Sequence, residues 1–494
     1  MHLEKPLKTF VPPFAGLAAY LITFAAGVHA EPFIAILEER GQNQWHVTVN
    51  SEPGGAYRLQ SSTELGNEWA WEGVEVVAGT PSTAFPVVIR DEEPRRFWRV
   101  VRLAKRIAFL GDSITDGISG PNYTQFRGYG GVAQTAMEHR FSLVRRSNAY
   151  GNDSDHGYGG YGALHLTTGV DHIFPADDVG ATDADLVFVN AGINDIKLGA
   201  TAQTTVSRVV DLHQKLRALG KLTIGSTLMG FGPVYGDLKR ATADEVNRLL
   251  PAALAAIGVP VLEWHSAARR DASGFVEAGD LYDGIHPSAA LGVKTGLLLA
   301  AFLDERVGQA PFLLPGVGSA QWLTGSPYVG GDLGGKDPAW ISQWGTVGNT
   351  YNKHVDSEGA IWQECTSSTG GGDGMHSIFV ASPFGDSSPS RTGARVRGVA
   401  RIQLPPGNTL KGVTLIAHCQ SSGYEELLTQ YAMLCTDGEV ERSGGPVAAF
   451  CGLYLSEEFV LPPATHYLRL EIRWWGEGSL RFRQAGIFEV VESN

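Results

Sequence analysis

The peptide Ile107-Ala108-Phe109-Leu110-Gly111-Asp112-Ser113 runs from an apolar stretch into Gly-Asp-Ser. A serine placed there sits at the carboxyl end of a strand, where the chain turns toward a helix, and Gly111 lets the backbone approach closely. A serine hydroxyl is a poor nucleophile until a base takes its proton, and that base needs a partner to orient it. The segment Leu281-Tyr282-Asp283-Gly284-Ile285-His286-Pro287 supplies both. Asp283 and His286 are three residues apart in a Gly/Pro-flanked loop. That spacing lets the carboxylate bend back onto one imidazole nitrogen while the other faces Ser113, and Pro287 restricts His286. The chain has 14 histidines, and a lone histidine is usually structural. Pairing with Asp283 is what singles out His286. The chemistry is acyl transfer to Ser113, then hydrolysis of the acyl-enzyme by water activated at His286. It needs neither metal nor cofactor.

Two more segments belong to the same cleft. Gly192-Ile193-Asn194-Asp195 follows an apolar strand at Leu186–Asn190. The Asn194 amide there is a donor for a tetrahedral oxyanion, an effect worth roughly 3–4 kcal/mol per donor. The glycine-dense stretch Gly157-Tyr158-Gly159-Gly160-Tyr161-Gly162 offers backbone N–H groups for the same purpose. Asp112 and Asp195 read as braces of these loops rather than reacting groups. Arg127, Tyr129, Tyr161 and Trp264 are of a type to line a cleft, although such residues more often sit in a core or on a surface. The glycine stretch also matches a dinucleotide fingerprint, but it opens no first βα turn, so cofactor binding is not expected. No Gly-x-Ser-x-Gly elbow is present, which speaks against an α/β-hydrolase.

The elements that must position these residues are read from periodicity. From 105 to 305, strand-like runs at Arg106–Leu110, Leu143–Ser147, Leu186–Asn190, Leu222–Ser226 and Val259–Glu263 alternate with helical patterns near 129–140, 202–219, 238–256 and 288–304. That alternation predicts an α/β domain with a parallel sheet covered on both faces, whose site gathers at the carboxyl ends of the strands. Residues 31–104 show short alternating runs broken by turns and predict a small β-sandwich, similar to an immunoglobulin-like module. Residues 306–319 read as a linker. Residues 320–494 are again strand-rich and predict a larger, jelly-roll-like sandwich. Its tryptophans (Trp322, Trp340, Trp344, Trp362, Trp474 and Trp475) are candidates for a sugar-stacking face, so glycan binding by this domain is weighed against a plain aromatic core. In a strand, Trp474 and Trp475 point to opposite faces, so at most one of them faces the core.

Taken in order, Gly111-Asp112-Ser113, a loop glycine, Gly192-x-Asn194-Asp195 and Asp283-x-x-His286 resemble the four blocks of the GDSL family, also called SGNH hydrolases. The resemblance spans residues 105–305. It implies a flavodoxin-like sheet of five parallel strands. It also implies Ser113 as nucleophile, His286 as general base and Asp283 as the residue that orients His286. The oxyanion hole would be the N–H groups of Ser113 and Gly160 with the side chain of Asn194. Gly159-Gly160-Tyr161 is similar to the second block of the family's carbohydrate acetylesterases, with Gly159 or Gly162 as alternative registers for the glycine.

Length and composition bound the rest. The chain has 494 residues, which suggests about three domains. A formal charge of −13 repels phosphate backbones and disfavours nucleic-acid binding. Lys5 and Lys8 precede an apolar run from Phe10 to Val28, so residues 1–30 read as an export signal cut after Ala30, with no later span. A secreted or periplasmic protein is expected. Export permits disulfides among Cys365, Cys419, Cys435 and Cys451, one or two being expected and the pairing open. The expected function is a secreted serine esterase that removes O-acetyl groups from polysaccharides or oligosaccharides. The alternatives are a lipase, arylesterase or thioesterase acting on other acyl esters, and a glycan-binding protein built on a non-catalytic hydrolase scaffold.

Overall fold

The computed structural model describes residues 36–490 apart from 42–43, 52–55, 63–69, 81, 89–96, 117–127, 145–155, 310, 317–320, 324–340, 346–348, 368–374, 382–392, 433–445 and 457. The expected export signal, Arg127, Trp340 and Cys435 lie outside them. The chain separates into two units, one ending at Lys105 and one beginning at Arg106. No described helix is long and apolar enough to cross a membrane.

The first unit is a small sandwich. Ile36–Gly41, Gln44–Asn50 and Ser82–Val88 form one antiparallel sheet; Ala70–Val77, Ala56–Ser62 and Phe97–Leu103 form the other. Alternation turns Val47, Val49, Tyr57, Leu59, Phe85 and Trp98 into one core.

The second unit opens with a parallel sheet. Its strands run spatially Val261–Leu262, Leu222–Ser226, Leu186–Asn190, Arg106–Gly111 and Ser142–Val144. In chain order this is 2-1-3-4-5, the flavodoxin-like arrangement. The order reverses between Arg106–Gly111 and Leu186–Asn190, and there the loops beyond the strand ends diverge to leave a crevice. A further two-residue strand, His156–Gly157, pairs with the end of Arg106–Gly111. The expected helices are found at Tyr129–Ala136, Ala202–Ala218, Gly236–Ala255 and Ala289–Leu303. Tyr129 and Trp264 do not line a cleft. Both are buried, meeting Phe109 and Phe188 in an aromatic cluster against the sheet.

The C-terminal part is a sandwich of two antiparallel sheets. One orders Ile341–Gly345, Met375–Ala381, Tyr467–Trp475, Gly412–Gln420 and Glu426–Ala432; the other Asn349–Val355, Ile361–Ser367, Gly478–Glu489, Arg395–Leu404 and Phe450–Leu455. Leu468, Leu470, Ile472 and Trp474 face Leu480, Phe482 and Ile487 in its core. Trp475 is also buried but belongs to no part of that cluster, as strand alternation requires. This sandwich packs directly on the parallel-sheet part. Val132 and Val293 join its core, Gly452 lies against the Thr135 carbonyl, and Arg401 pairs with Glu138. Within the stretch read as a linker, Val307 is buried and the Phe312 N–H donates to the Glu138 carbonyl.

Disulfides are not found where they were expected. Cys365, Cys419 and Cys451 are free thiols. Cys365 and Cys419 lie on core-facing positions, where burial pushes the Cys419 thiol up to about 12 and the Cys365 thiol higher. They pack as small apolar groups.

Candidate active site

Ser113 follows the strand Arg106–Gly111 and opens a single helical turn, Ser113–Asp116. Asp112 caps that turn: its Oδ1 accepts the Ile114 N–H at 2.9 Å. Gly111 is required because a Cβ there would overlap Thr115 Oγ1 and the Asn190 carbonyl. Ser113 thus leaves the sheet beside the reversal in strand order, and its own N–H is a first-turn helical donor without an intrahelical partner.

The loop Leu281–Pro287 closes on itself. Leu281 and Pro287 form an isolated bridge, Tyr282 N–H donates to the His286 carbonyl at 3.1 Å, and Ser288 N–H donates to the Asp280 carbonyl at 2.8 Å. Gly284 has φ +87, a conformation that suits glycine at the tip. Within this lobe, Asp283 Oδ2 and His286 Nδ1 are 2.6 Å apart, and His286 Nε2 lies 2.7 Å from Ser113 Oγ. A carboxylate only accepts, so Nδ1 carries the proton, and Nε2 is left to accept from the serine hydroxyl. Asp283 Oδ1 also accepts the N–H groups of Ile285 and His286. Burial opposes the Asp283 charge, but these hydrogen bonds and the imidazole hold its pKa below the usual carboxylate value. The three residues singled out in the sequence therefore meet as a continuous hydrogen-bonded chain.

The glycine loop arrives beside them because His156–Gly157 pairs with Leu110–Gly111 and Tyr158 N–H donates to the Gly111 carbonyl. Tyr161 N–H donates to the Tyr158 carbonyl, with φ +79 at Gly160 and no positive φ at Gly159. That is a type II turn, which demands glycine at its third position and turns the Gly159–Gly160 peptide away from the turn's own hydrogen bond. No hydrogen bond among the described residues uses the Gly160 N–H. Asn194, buried at the start of the helix Ile193–Lys197, donates one Nδ2 proton to the Tyr161 carbonyl at 3.1 Å. Its second Nδ2 proton remains for an oxyanion. Gly162 is set aside for packing, since a Cβ there would stand 2.7 Å from Asp195 Oδ2.

Asp195 braces this loop, as expected. Its Oδ2 accepts the Ala163 N–H at 2.6 Å and its Oδ1 pairs with Arg208 at 3.0 Å. Asp112 is fully buried and its Oδ2 has no partner among the described residues. Burial, opposed by the Ile114 N–H and reinforced by the Asp195 charge, raises it to about 7. Of the other cleft candidates, Tyr161 is half-buried on the glycine loop, its ring stacked on Tyr158.

Three supporting residues escaped the sequence reading. Tyr282 lays its ring on that of His286, with centroids 5.6 Å apart and planes 19° from parallel. Arg269 donates through Nε at 2.9 Å and Nη2 at 2.7 Å to Oδ1 of buried Asp280, bolting the neck of the Leu281–Pro287 loop. Arg and Asp eleven residues apart in irregular chain carry no periodic signal. Only the position of Tyr282, next to Asp283, hinted at a role. Among the described residues no group of His, Cys, Asp and Glu is arranged to hold a metal ion.

Chemically, the arrangement supports proton transfer from Ser113 to His286 as the hydroxyl attacks an ester carbonyl, with Asp283 stabilising the imidazolium and donors opposite meeting the oxyanion.

The model of the GDSL-like lipase/acylhydrolase family matches residues 109–291. Among solved structures, the chain is similar to the native aryl esterase of M. smegmatis at 17% identity and TM-score 0.33, covering 41% of this chain and 100% of that one. It is similar to a carbohydrate esterase family 3 protein from Talaromyces cellulolyticus at 20% identity and TM-score 0.32, covering 41% and 97%. It is also similar to a carbohydrate acetylesterase from Sinorhizobium meliloti at 16% identity and TM-score 0.30, covering 41% and 97%. No curated protein matches the chain. The segment that carries Ser113, Asn194, Asp283 and His286 is therefore a domain of the GDSL-like lipase/acylhydrolase family.

Proposed function

We propose that this chain is a secreted serine esterase that releases acetyl groups from polysaccharides or oligosaccharides. Ser113 is the nucleophile, His286 the general base and then general acid, and Asp283 its orienting partner. The N–H groups of Ser113 and Gly160 with Asn194 Nδ2 form the oxyanion hole. The observation that carries the reading is the unbroken relay from Asp283 through His286 to Ser113, at 2.6 and 2.7 Å. The carbohydrate preference rests on the export-type N-terminus, the flanking β-sandwiches and the form of the glycine loop. Acetate release from acetylated xylan and glucomannan, with p-nitrophenyl acetate alongside, tests it. Ser113→Ala is expected to lower turnover ~10³-fold or more. Equal activity in both proteins would remove Ser113 from the mechanism. N-terminal sequencing of exported protein is expected to begin at Glu31.

One observation favours a second reading, hydrolysis of longer acyl or aryl esters. Val234 and Leu238 are 76% and 81% exposed, and Val234 abuts Gly284 of the catalytic loop. An apolar rim so close to the relay suits an alkyl or aryl group. Rates on p-nitrophenyl esters from acetyl to octanoyl separate the readings: a fall with chain length supports the first, a rise the second.

A further inference from the structure

The C-terminal sandwich carries a row of polar side chains on the outer face of one sheet. On the strand Tyr467–Trp475, the core takes Leu468, Leu470, Ile472 and Trp474, so Tyr467, Arg469, Glu471 and Arg473 share the outer face. On the neighbouring strand, the core takes Val413, Leu415, Ala417 and Cys419, leaving His418 and Gln420 on that same outer face. The register sets Gln420 beside Tyr467 and His418 beside Arg469.

These side chains join into one row. Arg473 Nε donates to Glu471 Oε1 at 2.7 Å, and His418 Nε2 lies 2.9 Å from Glu471 Oε2. His418 Nδ1 lies 3.3 Å from Glu426 Oε2, and Gln420 Nε2 donates to that same oxygen at 3.2 Å. Arg469 Nη1 reaches Gln420 Oε1 at 3.5 Å. The row climbs from a floor to a rim, with side-chain exposure rising from 2% at Glu471 through 14% at His418 to 40% at Glu426. Burying Glu471 and its partners costs desolvation that apolar residues would avoid.

At the rim stand two aromatic rings. Tyr424, 53% exposed, stacks on Tyr467 with centroids 4.7 Å apart and planes 3° from parallel. His466 meets Tyr467 edge-on at 4.6 Å, and His466 N–H ties its loop to the Gln420 carbonyl at 2.7 Å. Tyr424 holds φ +64, a conformation a bulky residue adopts only at a cost. The Ser421 turn enforces it: Tyr424 N–H donates to the Ser421 carbonyl, and Ser421 N–H to the Glu425 carbonyl.

We infer that this face binds a neutral carbohydrate chain, with the Tyr424 ring, backed by Tyr467, stacking against a sugar ring and the exposed end of the row, Arg469, Gln420 and Glu426, meeting its hydroxyls. A sugar ring presents C–H groups on its flat face and hydroxyls that both donate and accept at its edge. Flat aromatic rings beside fixed carboxylates, guanidinium and amide groups match both requirements. The carboxylates in the row, and the net charge of −13, disfavour a polyanion. Of the tryptophans named for this role, Trp322, Trp362, Trp474 and Trp475 are buried, while Trp340 and the Trp344 side chain lie outside the described residues. The inference stands apart from the esterase reading, because binding is measured without turnover.

The test is electrophoresis of full-length Ser113→Ala through gels containing acetylated xylan, deacetylated xylan, glucomannan or hydroxyethylcellulose. At least one polysaccharide is expected to retard it. Adding Tyr424→Ala is expected to weaken the apparent affinity tenfold or more, and Arg469→Met to weaken it severalfold. Circular dichroism melts confirm that both variants fold, Tyr424 being exposed on a turn. No retardation by any of the four overturns the inference, as does retardation that both substitutions leave unchanged. Acetate release by the enzyme with Ser113 intact is scored separately, so a failed esterase reading and a failed binding site give different results.

Discussion

Replacing Gly160 tests the oxyanion hole, because the structure separates two costs that usually come together. A Cβ at Gly160 would have nothing within 4 Å, so alanine brings no steric clash. Its only penalty is φ +79, worth about 1–2 kcal/mol for a left-handed non-glycine residue. Gly160→Ala has two ways to respond. It can keep the type II turn and carry the strain in ground and transition state alike, leaving the rate untouched. Or it can flip the Gly159–Gly160 peptide, relieve the strain, and flip back in the transition state. The rate loss is then bounded by the strain, about 5–30-fold, and not by the full value of the hydrogen bond. Gly160→Pro deletes the N–H and, because proline cannot hold φ +79, also breaks the type II turn, so it is expected to cost at least ~10²-fold. Wherever the rate falls, kcat and kcat/KM should fall together with KM little changed, since the donor acts only on the developing oxyanion. Gly159→Ala, exposed and at negative φ, should stay near wild type. The assay is steady-state hydrolysis of p-nitrophenyl acetate, with melting curves to confirm folding. If Gly160→Pro keeps its rate within a factor of three while remaining folded, the Gly160 N–H is not an oxyanion donor and the reading of the glycine loop is wrong.

Three other outcomes follow from buried groups. Asp112, raised to about 7 chiefly by burial, holds a proton in the fold that the unfolded chain releases above about 3.8. Its contribution is complete below that value and is lost as pH rises to about 7, up to ~4 kcal/mol. Asp112→Asn keeps an acceptor for the Ile114 N–H and should flatten this part of the stability–pH curve in urea titrations. His213 has neither ring nitrogen hydrogen-bonded among the described residues; burial, helped by Arg217, lowers it to about 3. The fold keeps it neutral while the unfolded chain takes a proton below about 6.5, so stability is full above that pH and falls as pH drops toward 3, by up to ~5 kcal/mol. His213→Leu should shrink the difference in Tm between pH 7.5 and 4.5; an unchanged difference would show that His213 is not the acid-sensitive group. Thiol titration of denatured, unreduced protein should count at least three thiols, while Cys365 and Cys419 resist reagent in the folded state; a count of two or fewer would restore a disulfide.

What was legible in the sequence, and what was not, follows from how far apart the cooperating residues lie along the chain. Ser113 and Asn194 could be placed because each follows a fully apolar run that ends at a glycine-bearing turn, and a buried parallel strand makes that pattern readable. Asp283 and His286 could be paired because those two types lie three residues apart in one Gly/Pro-flanked loop. The strand His156–Gly157 left no trace, since two residues show no period. The Arg269–Asp280 pair and the row from Arg473 to Tyr424 were equally silent: their members meet through irregular loops and cross-strand register, and sequence composition holds no record of register. The misplaced tryptophans make the same point. Large aromatic rings in a strand-rich stretch gain most by filling the space between two sheets, so Trp474 sits in the core while two tyrosines, each with a hydroxyl to keep wet, stand at the rim. Covalent chemistry demands particular residue types, and here Asp283 and His286 lie three residues apart while Ser113 and Asn194 follow strand ends, so the site marks the sequence. Recognition of a long, neutral ligand demands only that several ordinary polar and aromatic residues share a face, and it is the fold that decides which ones do.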